Sequence, residues 1–413
     1  MVIGLLDWNI VMTCFDHHFY QALIGLDQKK LRRTISGIKP EEGAMISALS
    51  DNELLCDFSS NDYLGLSSHP LLKERSQLWT DQFGVGSRAS RLVSGTLPIH
   101  LEVEKKVALL KGKEAALLFP SGWQANASVL PALFRLSLEQ TGHKALVFTD
   151  KLNHASIHLG CSAAGIKQIR FRHNDLPHLE QLLEKQKQVN GLRFIITESV
   201  FSMDGDQADI GTLRQIADKY NAFLYVDEAH ATGVLGENGQ GLAGGANGAD
   251  LIMGTFSKAL GCFGAYIAGS TLLCDWLVNS CSGFIYSTAI PPSVIGAMDA
   301  ALDILPTLSK ERKQLIERSN HIRKEFQSMG LDTGLSSTHI IPVVIGNNEA
   351  TLLAAQRLKD EGILAIAIRP PTVPLHAGRL RFAITSLHND AMLEHLSHVM
   401  KKLAAEIHRG SSI

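Results

Sequence analysis

Apolar residues recur at helical spacing over residues 15–33, at Phe19, Leu23, Leu26 and Leu31, until Gly37, Pro40 and Gly43 stop the helix. Leu54-Leu55-Cys56-Asp57-Phe58 then reads as a short strand entering Ser59-Ser60-Asn61-Asp62, whose side chains satisfy tight-turn backbone groups and put Asn61 on a loop. Beyond it, helical patterns alternate with short unbroken apolar runs: Ala145-Leu146-Val147-Phe148, Phe194-Ile195-Ile196, Phe223-Leu224-Tyr225-Val226 and Leu251-Ile252-Met253. Such runs suit strands covered on both faces, and the helices between them imply right-handed crossovers in a mainly parallel sheet. The pattern predicts an α/β core.

Each run ends in polar residues: Thr149-Asp150, Thr197-Glu198, Asp227-Glu228 and Thr255-Phe256-Ser257-Lys258. Ligands of open α/β sheets gather at the carboxyl ends of strands, so these ends are expected to converge on one crevice. After Pro291-Pro292 the pattern becomes a long helical stretch over residues 293–329, with Pro306 ending or kinking a helix. Strand-like runs at residues 340–345, 363–368 and 380–384 follow. The predicted organisation is an N-terminal helical arm over residues 1–53, a large domain over 54–290 and a smaller C-terminal α+β domain over 291–413. No internal repeat or low-complexity tract interrupts it.

A chain of 413 residues is too long for one ordinary compact domain. Its 45% hydrophobic and 19% charged residues give no compositional case for disorder. Thirty-nine basic against 41 acidic side chains leave a formal charge of −2, so no global field would gather nucleic acid or an anionic membrane, and neither is expected as a partner. An anionic ligand must be met locally. The six cysteines, Cys14, Cys56, Cys161, Cys262, Cys274 and Cys281, form no CxxC pair and read as reduced thiols of a cytoplasmic protein. The opening run Val2-Ile3-Gly4-Leu5-Leu6 is broken by Asp7 and is too short to span a membrane. Because a more polar stretch starts at Met12, residues 1–11 are expected to be an upstream-start extension.

The strongest chemical constellation is Tyr225-Val226-Asp227-Glu228-Ala229-His230, followed one strand later by Gly254-Thr255-Phe256-Ser257-Lys258. A lysine amine can carry pyridoxal 5'-phosphate as a Schiff base, and a carboxylate can hold the pyridine nitrogen protonated so that the ring accepts electrons. Singly, each residue has a plainer reading: a surface lysine, a helix-capping Asp227, a structural His230. Together on successive strand ends they point to that cofactor. Upstream, Pro120-Ser121-Gly122-Trp123-Gln124 precedes a helical stretch, whose first N–H groups suit a phosphate. Asn153-His154 follows another strand and puts a flat imidazole over the crevice, where it can stack on an aromatic ring. His154 and His158 lack an acidic third ligand, so no metal is expected. Gly84-Val85-Gly86-Ser87-Arg88-Ala89 follows a helical pattern instead of a strand, which argues against a dinucleotide site. Arg369-Pro370-Pro371-Thr372-Val373-Pro374 holds one arginine in a rigid turn suited to gripping a carboxylate, although a structural arginine is as common.

These residues resemble the α-oxoamine synthases, fold-type-I pyridoxal-phosphate enzymes that condense an amino acid with an acyl thioester and lose CO2. The likeness runs over residues 31–387 through Phe58-Ser59-Ser60-Asn61-Asp62-Tyr63-Leu64-Gly65, Phe201-Ser202-Met203-Asp204-Gly205-Asp206, Val226-Asp227-Glu228-Ala229-His230, Thr255-Phe256-Ser257-Lys258 and Ile285-Tyr286-Ser287-Thr288. The resemblance implies a large domain with a mainly parallel sheet, a smaller C-terminal domain and a homodimer. It also implies that Lys258 anchors the cofactor, Asp227 pairs with the ring nitrogen and His154 stacks on the ring. His230 and Ser202 would meet the phenolic oxygen. Gly122 and Trp123 N–H groups and Thr255 would hold the phosphate, with Ser287 and Thr288 reaching it from the partner subunit. Arg369 and Asn61 would grip the amino-acid carboxylate, and Arg32 matches an arginine near the acyl substrate. The loops most resemble the member that joins L-alanine to pimeloyl-CoA or pimeloyl-acyl carrier protein on the way to biotin. Members using glycine or serine with other acyl chains stay open. Three places depart from the family: Arg88 stands where glycine is usual, Trp123 replaces a smaller aromatic residue, and Leu375-His376-Ala377-Gly378 lacks a glycine-threonine pair.

Overall fold

The computed structural model describes residues 13–50 and 52–408, so the expected extension at residues 1–11 lies outside the described residues. Contacts divide the chain into two units: Asn61–Ile316, and the chain before Asn61 together with the chain from Glu317 onward.

The larger unit is built on a seven-stranded sheet in the order Ala115–Phe119, Ala265–Gly269, Leu251–Thr255, Ala222–Asp227, Arg193–Glu198, Leu146–Asp150, Ile169–Phe171. The four apolar runs are four of these strands, neighbours in space and parallel to one another. Side chains alternate across the sheet. Val147, Phe194, Ile196, Tyr225 and Met253 pack on one face with Ala125, Val129 and Leu133 of the helix Gly122–Thr141. Phe148, Ile195, Leu224, Val226 and Ile252 pack on the other with Leu179, Leu183, Leu213 and Ile216 from the helices Leu176–Lys185 and Ile210–Lys219. Each large side chain so covered contributes roughly 1.5–3 kcal/mol. The α/β core is therefore as expected.

One strand, Ala265–Gly269, runs antiparallel to both neighbours. Its Tyr266 lies opposite Gly254, where an added Cβ would come within 2.1 Å of the phenol oxygen. Only glycine fits under that ring.

The boundary expected near Pro291 lies farther along the chain. The helix Pro292–Ile304 belongs to the larger unit, packing on the helix Pro70–Phe83, where Arg75 binds the buried Asp299. Pro306 sits in the short 3-10 turn Leu305–Thr307 before the helix Ser309–Ser328. In the smaller unit, strands Ile38–Pro40, Met45–Ala48 and Leu54–Asp57 pair in antiparallel fashion, and Leu54–Asp57 then pairs in parallel with Ile363–Leu364. Residues that read as an arm thus join a sheet with the C-terminal chain. Ile340–Gly346, Gly378–Ala383 and Ile366–Ile368 form a separate antiparallel sheet, so the run 363–368 is shared between two sheets. Among the described residues no helix is long and apolar enough to cross a membrane.

Next to the strand end at Asp227 lies a fully buried ion pair. Lys111 Nζ donates to Glu228 Oε2 at 2.7 Å and to Thr232 Oγ1 at 2.9 Å, while Glu228 Oε1 accepts the Ala243 N–H at 2.8 Å. Burial opposes the ammonium charge, but Glu228 outweighs it and raises the lysine pKa. Removing one partner strands a charge in the interior, so Lys111→Met is expected to cost about 3–5 kcal/mol in urea unfolding. Adding Glu228→Gln should restore most of that loss; a double variant whose loss is the sum of the two single losses would contradict the pairing.

Candidate active site

The strand Ala222–Asp227 delivers Asp227 to the crevice almost fully buried, at 4% exposure. Its Oδ2 accepts from Asn126 Nδ2 at 2.9 Å and its Oδ1 from the Ala229 N–H at 2.9 Å. Asn126 also donates to Ser156 Oγ at 2.9 Å and accepts from the Tyr225 hydroxyl, which fixes the amide's orientation. Glu198 stands in register beside Asp227 on the next strand and accepts the His154 N–H at 2.5 Å. Burial, reinforced by Asp227, pushes the Glu198 carboxyl well above the usual carboxylate range.

Lys258 follows the strand Leu251–Thr255, and its Nζ lies 2.8 Å from His230 Nε2. His230 Nδ1 meets the fully buried Tyr63 hydroxyl at 2.6 Å, and that hydroxyl donates to Asn61 Oδ1 at 2.9 Å. The two ring nitrogens of His230 thus face Lys258 and the Tyr63 hydroxyl, which orients the ring.

His154 caps the helix Ala155–Ala163, with Nδ1 2.7 Å from Ser156 Oγ. Its ring meets the half-exposed Trp123 edge-on, with centroids 6.0 Å apart. Burial within the surrounding protein lowers its pKa, Asp227 works against that and Lys258 adds to it. At the start of the helix Gly122–Thr141, Ser121 Oγ caps Gln124, and the Gly122 and Trp123 N–H groups make no hydrogen bond among the described residues. Gln124 Nε2 donates to Gly283 O at 2.8 Å and to Ser287 Oγ at 3.1 Å, bringing Ser287 of the same chain to this helix end. Thr288 pairs with Ser90. Thr255 Oγ1 donates to Gly264 O at 2.9 Å and lies 2.7 Å from Ser257 Oγ. Ser202 is partly buried in the loop after Arg193–Glu198.

Asp227, His230, Lys258, His154, Ser202, Thr255, Ser287, Thr288, Gly122, Trp123 and Asn61 all lie in the larger unit, whereas Arg32 and Arg369 belong to the smaller one. Arg32 pairs with Asp27 at 2.7 Å on the surface. Arg369 donates to the Lys30 carbonyl, and its buried Nε makes no hydrogen bond among the described residues. Arg88 adopts φ +70°, a left-handed backbone that glycine takes without strain, which accounts for the glycine usual there. Asn126, Glu198 and Tyr63 were not foreseen as site residues. Glu198 carries the one available signal, a polar residue closing an apolar run; Asn126 and Tyr63 join through contacts between distant stretches of chain.

The aminotransferase class I and II family model matches residues 54–400. The chain is 55% identical over 395 residues to 8-amino-7-oxononanoate synthase of Gluconacetobacter diazotrophicus, an alignment spanning 96% of this chain and 99% of that one. Among solved structures it is similar to a Sphingomonas wittichii serine palmitoyltransferase, with a TM-score of 0.84 at 24% identity, covering 97% of this chain and 99% of that one. It is also similar to the 8-amino-7-oxononanoate synthase of Francisella tularensis, with a TM-score of 0.73 at 25% identity, covering 86% and 99%. A family match over most of the chain and a near full-length relative at such identity make the protein a member of the aminotransferase class I and II family, on its α-oxoamine synthase branch.

Proposed function

We propose that the protein joins L-alanine to a pimeloyl thioester with loss of CO2, the 8-amino-7-oxononanoate synthase reaction, using pyridoxal 5'-phosphate held on Lys258. The observation that carries this reading is the meeting, at 2.8 Å, of Lys258 after one strand with His230 after the neighbouring strand, which ends at the buried Asp227. The residues fit the cofactor. Asp227 has two neutral donors but, among the described residues, no cation at salt-bridge distance. A buried carboxylate left so is costly, and a protonated pyridine nitrogen balances it. The unpartnered Gly122 and Trp123 N–H groups at a helix start fit a phosphate. When bound, the cofactor supplies an electron sink for a carbanion at the amino acid's Cα.

The chain's own groups divide the remaining work. His154 offers a flat ring for stacking, and His230 with Ser202 binds the phenolic oxygen. Thr255 adds a hydroxyl at the phosphate; Ser287 and Thr288, which in their own chain lie against Gln124 and Ser90, would add theirs to the phosphate of a partner subunit. Arg369 and Asn61 hold the alanine carboxylate, and Arg32 meets the acyl substrate. His230 Nε2 lies 2.8 Å from Lys258 Nζ and holds the amine in place, and that amine would remove the Cα proton as general base. The acyl group arrives on CoA or on an acyl carrier protein. The active form is a homodimer in the cytoplasm; the exposed apolar residues Val93 and Tyr286, close to the Ser90–Thr288 pairing, are surface that a second copy would cover.

Three measurements test this reading. Borohydride should abolish the visible absorption of the purified protein and leave the label on Lys258; a label elsewhere, or no band, would overturn the cofactor assignment. Lys258→Ala should lose roughly 10²–10⁴-fold in kcat. Incubation with alanine and pimeloyl-CoA should release CoA and an amino ketone of the matching mass. Turnover with glycine and none with alanine would overturn the substrate.

A further inference from the structure

Three stretches of the larger unit meet at one charged histidine. His173 Nδ1 lies 3.0 Å from Asp150 Oδ1 at the end of the strand Leu146–Asp150, and Nε2 lies 2.9 Å from Asp206 Oδ2. Both carboxylates are buried, at 0% and 5% exposure. Asp150 Oδ1 also accepts the Leu152 N–H at 2.8 Å, within the turn that leads to His154. Asp206 closes the loop that carries Ser202: its carbonyl accepts the Phe201 N–H at 3.1 Å, and the Gly205 N–H returns to Phe201 O at 2.9 Å. Phe201 itself packs edge-on against the His173 ring, with centroids 4.4 Å apart. Asn174, in a left-handed backbone at φ +49°, bridges the same carboxylates, its N–H to Asp150 at 2.8 Å and its amide to Asp206 at 2.6 Å.

We propose that His173 is a positioning residue of the active site: by bridging Asp150 and Asp206 it fixes together the turn that presents His154 and the loop that presents Ser202. The inference rests on reading those two residues as cofactor contacts. The sequence shows nothing of it, since the three stretches are distant along the chain. Charge supports the geometry. Burial opposes a proton on the ring, but the bonds to Asp150 and Asp206 outweigh it and hold the pKa up to about 10. Both nitrogens therefore donate at neutral pH, and two buried carboxylates share one cation. Without it they would be left close together, repelling each other, with only Asn174 between them.

His173→Gln keeps a donor toward one carboxylate and removes the charge; Asp206→Asn keeps an acceptor for the ring and serves as the milder second variant. Hydrogen exchange and cofactor titration read both. In His173→Gln, amides of residues 150–156 and 200–208 should exchange about tenfold faster or more, the loss expected for a charge-assisted hydrogen bond. Exchange in the helix Pro98–Lys111 should not change. The apparent Kd for pyridoxal phosphate should rise by about tenfold on the same grounds, with an altered circular dichroism band of the bound cofactor. Asp206→Asn should move the same two loops less. Faster exchange in one loop only, faster exchange throughout, or wild-type cofactor affinity in His173→Gln would overturn the inference. A wild-type protein that binds no cofactor at Lys258 would overturn the reading beneath it as well, so the two failures are told apart.

Discussion

The geometry of the site depends on the buried carboxylate of Asp227. A strand covered on both faces ends there, and the chain turns before the charge can reach water, so its orientation is set by Asn126 and the Ala229 N–H. Everything nearby answers to that charge. Burial, reinforced by Asp227, pushes the carboxyl of Glu198, in register beside it, well above the usual carboxylate range, and Asn126 is itself fixed by Ser156 and Tyr225. A carboxylate held this rigidly, with no cation at salt-bridge distance among the described residues, is suited to stabilising a positive nitrogen placed against it.

Parallel topology supplies the second constraint. Neighbouring strands Leu146–Asp150, Arg193–Glu198, Ala222–Asp227 and Leu251–Thr255 all end on the same side of the sheet, so stretches well separated along the chain become neighbours. Lys258 and His230 meet there because each follows its strand by only a few residues. The neighbouring buried pair Lys111 and Glu228 ties the turn after Asp227 to the helix Pro98–Lys111, so the residue beside the key carboxylate is anchored from below.

Much of this is legible in the sequence. Asp227, His230 and Lys258 stand at the ends of apolar runs, and an apolar run that stops at a charge marks both a strand and its functional end. The start of the helix at Gly122 is equally plain, from Ser121 and the small residue after it. Tyr63, Asn126 and His173 are not legible, because their roles come from partners 167, 101 and 33 positions away and no local pattern encodes those meetings. The unit boundary near Ile316 escapes for a similar reason: Pro291-Pro292 looks like punctuation, yet the helix that follows belongs with Pro70–Phe83. Residues 38–48 read as part of an arm because the sheet they join, through Leu54–Asp57, is completed by Ile363–Leu364 at the far end of the chain.

The most direct test of Asp227's role is the 15N NMR signal of isotopically labelled pyridoxal phosphate bound to the protein at neutral pH. The expected result is a protonated pyridine nitrogen in the wild type and loss of that proton in Asp227→Asn with the cofactor still bound. A pyridine nitrogen that is unprotonated in the wild type, or one that stays protonated without the carboxylate, would contradict it.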